Sequence, residues 1–259
     1  MKNNSVNNNY EKFIYTSLDD IIVTKKSGKD QHRYIPIYPL ETGLEYLIVG
    51  TIHPNSKPEI DYYYGNVGSF WDILRSIYPS YHFDSTDQIR NWQRDFNVGI
   101  TDTIIQCKRK NETAKDSDII LDEEDYNWAL KEYVLSNRNT LKRLLFTSGE
   151  GANAAYRNFK KIMGSDFLLI ESLCTVLPSA SGNSTLALFK GKEEHYGLVL
   201  AFYEFLNVHY PDALEYAKET FIKKQSTNQK MKRLPQNATS YSKEYKVFEY
   251  KKHFPIHTI

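Results

Sequence analysis

A short aliphatic run that ends in a polar turn constrains the fold of this chain more than any other feature. Leu47, Ile48 and Val49 are apolar and partly β-branched, as in a strand that is buried on both faces of a parallel sheet. Gly50 ends the run, and a polar turn and the aromatic stretch 62–71 follow it. Ligands of open α/β sheets bind at the carboxyl ends of the strands. We therefore expect the chemistry of the protein in this turn and this aromatic stretch.

Strand-like runs alternate with helical patterns along the rest of the chain. Further strand-like runs cover 96–105, 144–147 and 167–177. Helical spacing covers 69–77, 126–135, 137–141, 152–162, 193–206 and 213–224. The alternation predicts an α/β fold, a single three-layer domain whose central, mainly parallel sheet of about four strands is flanked by helices. We expect this domain over 41–210, after a partly disordered N-terminal lead-in at 1–40 and before a C-terminal extension at 211–259.

The composition excludes several classes of protein. Cys107 and Cys174 are the only cysteines, so a disulfide framework, a zinc site and a four-cysteine iron–sulfur cluster are excluded by count. Residues 1–9 are polar and rich in asparagine, unlike a signal peptide, and no apolar run reaches the length of a membrane span. We expect a soluble, cytoplasmic protein.

Positive charge is concentrated at the C-terminal end of the chain. Residues 218–259 carry ten Lys and Arg against three Glu, although the whole chain has a net charge of only +1. A C-terminal extension that is first helical and then basic, on a mildly acidic body, indicates a nucleic acid or another anionic partner. A tail that only improves solubility is the alternative.

The expected strands end in small or polar residues, at 50–55, 99–102, 148–151 and 178–183. Each turn alone is unspecific, but their order and content are specific. The motifs are Gly50…Pro54, Tyr63-Tyr64…Phe70-Trp71, Gly99-Ile100-Thr101-Asp102 with Cys107-Lys108-Arg109, Phe146…Gly149, and Leu177-Pro178-Ser179-Ala180-Ser181. In these motifs, over residues 44–190, the chain resembles the uracil-DNA glycosylase superfamily, most closely its hypoxanthine-DNA glycosylase branch.

The resemblance implies a monofunctional DNA glycosylase. Such an enzyme hydrolyses the N-glycosidic bond of a deaminated or modified base, here hypoxanthine or uracil, after flipping it out of double-stranded DNA. It also implies a monomer that needs no metal or cofactor. Because no lysine lies convincingly in these turns, we expect no Schiff base. Two alternatives stay open: a glycosylase for modified cytosine in foreign (phage) DNA, acting as a defence factor, and a catalytically silent module that binds damaged DNA.

The same resemblance assigns catalytic candidates. The attacking water would be positioned by His53, Asn66 or Asn55, and a neutral imidazole could also act as a general base. Gly68 stands where the hypoxanthine branch has its catalytic asparagine, so the sequence does not choose among the three.

The base would be held by a second group of residues. Tyr63 and Tyr64 stand where the family has its stacking aromatic residue. Asp102, with Thr101 beside it, would read the edge of the base. An ionised carboxylate only accepts hydrogen bonds, so Asp102 favours a base that presents an N–H or an exocyclic amino group. An aspartate that merely ends a strand is the structural alternative.

The DNA backbone would be bound by residues of two loops. Ser179, Ser181 and Asn183 belong to the loop that in the family clamps the backbone, and small hydroxyl residues allow a close approach to phosphates. Lys108 and Arg109 are expected to contact phosphates. An exposed loop of mixed charge explains these two cations as well.

Overall fold

The computed structural model describes residues 28–53, 58–65, 69–111, 116–181, 188, 196–215 and 237–255. The strands are β1 (Asp30–Gln31), β2 (Tyr46–Gly50), β3 (Val98–Asp102), β4 (Gln106–Arg109), β5 (Ile119–Ile120), β6 (Arg143–Phe146) and β7 (Cys174–Val176). The longer helices are α1 (Ser69–Ile77), α2 (Thr86–Asp95), α3 (Ala129–Asn137), α4 (Ala155–Met163), α5 (Tyr196–His209) and α6 (Ala238–His253). Short 3-10 turns lie at Asp116–Asp118, Glu123–Asp125, Gly164–Leu169 and Glu171–Leu173.

The central sheet has four parallel strands in the order β3-β2-β6-β7, which confirms the expected α/β fold. In this register Gly50 lies opposite Asp102, and Val49 lies opposite Phe146. All four strands therefore present their carboxyl ends at one edge of the sheet. A small antiparallel sheet, β1-β4-β5, lies beside it, with Asp30 opposite Cys107.

The two faces of the central sheet pack against different side chains, because successive residues of a strand point to opposite faces. On one face the aromatic cluster contains Tyr34, Ile48, Tyr62, Tyr63, Phe70, Trp71, Ile73, Leu74, Tyr78, Phe83, Ile89, Trp92, Phe96, Val98, Ile100, Leu145, Leu177, Tyr250 and Phe254. On the other, the aliphatic cluster contains Leu47, Val49, Leu130, Val134, Leu141, Leu144, Phe146, Ala155, Phe159, Met163 and Ile170. A third cluster joins α5, the helical turn 211–215 and α6.

Several expected elements have different bounds in the structure. The run 96–105 is a strand only as far as Asp102, and the amides of Thr103 and Ile104 then bond to the carbonyls of Gly50 and Thr51. The run 167–177 is mostly 3-10 turn, and only its end pairs with β6, as β7. Its Leu168 and Leu169 are exposed, so this apolar run does not enter the core.

Helix α6 was not expected, because the sequence of the basic extension has little apolar periodicity. In the structure α6 packs on α1, and Tyr245, Lys246 and Tyr250 are buried. Tyr250 and the following Phe254 belong to the aromatic cluster. This part of the extension is therefore packed against the central domain. Among the helices that the structure describes, none is both long and apolar enough to cross a bilayer.

Candidate functional site

The candidate site lies at the carboxyl edge of the central sheet, above Gly50. The carboxylate of Asp102 and the hydroxyl of Tyr64 both approach the α-carbon of Gly50, so closely that a Cβ at this position would overlap both oxygens. Asp102 is only 4% exposed. The glycine is therefore required for these two polar groups to meet at the end of β2.

His32 orients the carboxylate of Asp102. Its Nδ1 accepts hydrogen bonds from the backbone amides of Tyr34 and Ile35, each at 3.1 Å. The ring proton must then be on Nε2, which lies 2.7 Å from Asp102 Oδ2 and donates to it. One carboxylate oxygen is thus bound by His32, while the other faces Gly50. Sequence reasoning missed His32, which lies in the expected lead-in and outside the glycosylase-like motifs.

Tyr64 brings an aromatic ring to the site. The ring stacks on Phe70 with centroids 4.3 Å apart and an interplanar angle of 24°, and the hydroxyl lies 3.2 Å from Thr147 Oγ1. Its φ of 56° is in the left-handed region, which is uncommon for a residue other than glycine. Burial of the hydroxyl and the charge of Asp102 raise the pKa of Tyr64 well above its ordinary value. The hydroxyl therefore keeps its proton near neutral pH.

Tyr63 does not reach the site, although the sequence places it beside Tyr64. It is 1% exposed and packs against His32 and Tyr34, with ring centroids 5.6 and 5.3 Å away. Trp71 Nε1 donates to its carbonyl at 3.1 Å. Tyr63 is thus a core residue in this structure, and its ring cannot stack on a base without a rearrangement.

His53 is held by the lead-in segment. Its Nε2 lies 3.0 Å from the amide nitrogen of Arg33 and 3.2 Å from the carbonyl oxygen of Gln31. In either tautomer this nitrogen is therefore engaged with backbone of the lead-in. The other two candidates for positioning water, Asn55 and Asn66, lie outside the described residues, as does Gly68.

Asp116 lies at the same edge and was also missed by sequence reasoning. The hydroxyl of Thr51 donates to its Oδ2 at 3.3 Å and lies 3.3 Å from Ser148 Oγ. Burial of the carboxylate raises the pKa of Asp116 to about 6, while the Thr51 hydroxyl and the charge of Arg109 oppose the rise. The charged loop between β4 and β5 thus brings a second carboxylate to the strand ends.

Thr101 is buried inside the sheet, one residue before the end of β3. Asn127 Nδ2 donates to the carbonyl of Asp102 at 2.9 Å and lies 3.5 Å from Thr101 Oγ1. Thr101 and Asn127 therefore support the backbone that carries Asp102, and the Thr101 side chain itself is 3% exposed.

Helix α6 holds the loop 178–181. Tyr250 donates to the carbonyl of Pro178 at 3.1 Å, and Lys246 Nζ donates to the carbonyl of Ser181 at 3.0 Å. Burial lowers the pKa of Lys246 to about 8. Within the loop the Ser181 amide bonds to Ser179 Oγ at 3.3 Å, and Ser181 is exposed. Asn183 lies outside the described residues.

The two expected phosphate contacts have different environments. Lys108 is exposed on β4. The side chain of Arg109 is 5% exposed; its Nε lies 3.3 Å from Asp30 Oδ2, and one terminal nitrogen donates to the carbonyl of His53 at 3.1 Å. Arg109 therefore joins β4 to β1 and to the turn after β2, and only Lys108 is open to a phosphate.

Within the described part of the chain, the carboxylates of Asp122, Glu124 and Asp125 are close enough together to share a cation. The ammonium group of Lys29 already lies among them, at 2.8, 3.1 and 2.6 Å. These hydrogen bonds raise the pKa of Lys29. The group is therefore an internal ion-pair network that ties the segment before β1 to the turn after β5.

Comparisons of the chain with family models, with curated proteins and with solved structures found no match. The resemblance to DNA glycosylases thus rests on the motifs in the sequence, and it stays a prediction.

Proposed function

We propose that the protein is a monofunctional DNA glycosylase, which hydrolyses the N-glycosidic bond of a deaminated or modified base in double-stranded DNA. The observation that carries the proposal is the meeting of the Asp102 carboxylate and the Tyr64 hydroxyl over Gly50. Both groups lie at the carboxyl edge of a parallel sheet, where ligands of such folds bind. Both also belong to the motifs that resemble glycosylases.

The chemistry of these groups fits the recognition of a flipped base. Asp102 is oriented by His32, and a carboxylate accepts hydrogen bonds from an N–H or amino group on the edge of a base. Tyr64 supplies an aromatic ring and a protonated hydroxyl next to that carboxylate. A planar ligand with a donor on its edge is the substrate class that this pair supports.

The surroundings of the site support contact with a DNA backbone. The loop 178–181 follows β7 at the same edge, and its small hydroxyl residues, of which Ser181 is exposed, suit the approach of phosphate oxygens. Lys108 adds an exposed positive charge on the neighbouring sheet.

The first experiment measures base release from duplexes that carry uracil, hypoxanthine, xanthine or a modified cytosine. Asp102→Asn and Gly50→Ala should lose release of the preferred base. The first replaces the accepting carboxylate with an amide, and the second adds a Cβ that displaces this carboxylate. The matched controls are Asp212→Asn, on an exposed helical turn, and Gly151→Ala, where a Cβ meets nothing within 4 Å. Both controls should keep the activity. The absence of base release from every duplex would refute the proposal, whether or not the duplexes are bound.

A catalytically silent module that binds damaged DNA is a second candidate, and one observation favours it. The ring of Tyr64 packs on Phe70 beside Asp102, so a flipped base must stack on this ring or displace it. Tyr64→Ala separates the two cases. If the ring is a stacking platform, both release and binding fall; if it blocks an inactive site, duplex binding rises and no base is released.

A further inference from the structure

Asp116 reaches the site from outside the glycosylase-like motifs, and two hydrogen bonds fix its position. Its Oδ2 accepts from the Thr51 hydroxyl at 3.3 Å, and its carbonyl accepts from Asn153 Nδ2 at 2.9 Å. The same Asn153 amide donates to the carbonyl of Ile119 at 2.8 Å. Residues that follow β2 and β6 thus hold the start of the 3-10 turn against the strand ends.

The two carboxylates at this edge differ in access to water. Asp102 is almost fully buried, and His32 holds it in a fixed orientation, which suits a group that recognises a ligand. Asp116 is half-buried, and the described partner of its carboxylate is a neutral hydroxyl. Asp116 is therefore the carboxylate that can meet a water molecule and take a proton from it.

The titratable groups around Asp116 lie on three other elements. Asp102 on β3 raises its pKa, and Arg109 on β4 lowers it. Tyr64, from the segment before α1, faces the same edge but keeps its proton. Burial is the largest cause, and the effects together raise the pKa of Asp116 to about 6. Such a group is ionised at neutral pH and still basic enough to accept a proton in a reaction.

His53, the other described candidate for activating the attacking water, is held by the lead-in segment. The Nε2 of His53 lies within hydrogen-bonding distance of two backbone groups of the lead-in. We propose that Asp116 is the general base of the glycosylase reaction, an inference that rests on the proposed function. The attacking water forms a bond to C1′ of the sugar and passes a proton to the Asp116 carboxylate. The C1′–N bond breaks, its electron pair leaves with the base, and the base takes a proton from solvent while Asp116 returns its own.

The test is the rate of base release in single turnover as a function of pH. For the intact protein we expect this rate to rise with pH through about 6 and then to level off, because the base must be ionised. Asp116→Asn should lower the rate at neutral pH by roughly 10²- to 10⁴-fold, and the rise near pH 6 should vanish. Its affinity for the duplex should stay unchanged, because the residue acts on water.

Three further variants complete the test. Asp118→Asn makes the same chemical change two residues along the same turn and should keep both the rate and the pH profile. Asp116→Glu retains a carboxylate and should recover part of the lost rate. Thr51→Val removes the hydroxyl that stabilises the ionised form, so it should move the rise to higher pH.

The outcomes separate this inference from the proposed function. If the intact protein releases a base but folded Asp116→Asn keeps the rate and the pH dependence, Asp116 is not the base while the glycosylase proposal stands. If the intact protein releases no base from any duplex, the proposed function fails and this inference falls with it. Folding of each variant is checked by its circular dichroism spectrum. We expect Asp116→Asn to fold, because its amide oxygen can still accept the hydrogen bond from the Thr51 hydroxyl.

Discussion

The two faces of the central sheet are built from different parts of the chain. The aliphatic cluster is completed by α3 and α4, which flank β6 directly in sequence. The aromatic cluster also includes Tyr34, from the segment before β2, and Tyr250, from α6 near the other end of the chain. One face thus forms from neighbouring elements, whereas the other needs both ends of the described chain.

The aromatic face is also the one that is continuous with the candidate site. Tyr64 packs on Phe70 within this cluster, and Tyr250 bonds to the carbonyl of Pro178 at the base of the loop 178–181. His32 contacts Tyr34 and Tyr63 through its ring. Changes to the aromatic face should therefore alter both stability and the site, while changes to the aliphatic face should alter stability alone.

The largest expected effect is that of deleting residues 237–259. The deletion removes Tyr250 and Phe254 from the aromatic cluster and Tyr245 from the third cluster. The loss of a buried aromatic side chain typically lowers stability by about 3–5 kcal/mol, and whole domains are stable by only about 5–15 kcal/mol. We expect the truncated chain to lose its cooperative thermal transition in circular dichroism, whereas Phe248→Ala, 42% exposed on the same helix, should keep it. A truncated chain that still melts cooperatively would contradict the dependence of this face on α6.

Neighbouring leucines of β6 test the two faces directly. Leu144 faces the aliphatic cluster and Leu145 the aromatic cluster, and both are 0% exposed. Each change to alanine should lower the free energy of unfolding by about 2–5 kcal/mol in urea titrations. Only Leu145→Ala should also change the near-ultraviolet circular dichroism of the tryptophans, because Trp71 and Trp92 lie on its face. An equal spectral change for Leu144→Ala would show that the two faces do not differ in their contact with the tryptophans.

Lys246 makes the stability of the aromatic side depend on alkaline pH. Burial lowers the pKa of this lysine to about 8 in the folded protein, from an ordinary value of 10.5. Between about pH 8 and pH 9 the unfolded chain therefore binds more protons at this lysine, and stability rises with pH, by at most about 1.4 kcal/mol. Above about pH 9 the trend reverses, because burial raises the pKa of Cys107 to about 11 and those of Cys174 and Tyr34 to about 12, while the same groups of the unfolded chain ionise. Urea titrations at several pH values should show the rise below about pH 9 for the intact protein and for exposed Lys251→Met, and no rise for Lys246→Met.

The smallest expected effect compares one hydroxyl on each side of the sheet. Tyr250→Phe removes the hydrogen bond to Pro178, and Tyr133→Phe removes the bond from Tyr133 to the carbonyl of Glu41, of 2.7 Å. Each should lower the free energy of unfolding by about 1 kcal/mol. Only Tyr250→Phe should weaken binding to duplex DNA, because it frees the loop 178–181 from α6. Equal binding by both variants would show that the loop does not depend on this anchor.

The parts of the fold that could be predicted from sequence are those decided by local pattern. The run 47–49 is aliphatic throughout, and α1 was expected over the same residues, 69–77, because its apolar positions have helical spacing. Helix α6 was missed because two of its buried positions, Ser242 and Lys246, are polar, which hides the buried stripe. Helix α2 was missed for a related reason, since Ile89 and Trp92 are its buried residues among charged and amide neighbours.

The candidate site divides in the same way. Asp102 and Tyr64 were found because they lie within motifs at strand ends. His32 and Asp116 were not, since each reaches the site through the tertiary structure: 70 positions separate His32 from Asp102, and 65 separate Asp116 from Thr51. The motifs predict functional roles for Arg109 and Tyr63, but both side chains are buried and contact other parts of the protein instead. Local sequence reports which residue types are available, whereas burial decides which of them face the site.

The bond between His32 and Asp102 also provides a spectroscopic reporter. A ring N–H that is buried and donates to a carboxylate at 2.7 Å is shielded from exchange with solvent. We expect its proton to give a separate downfield resonance in nuclear magnetic resonance spectra, far from the crowded amide region. A ligand that bonds to Asp102 would shift this resonance even if no chemical reaction followed. A single proton could thus reveal occupancy of the site before any substrate is known.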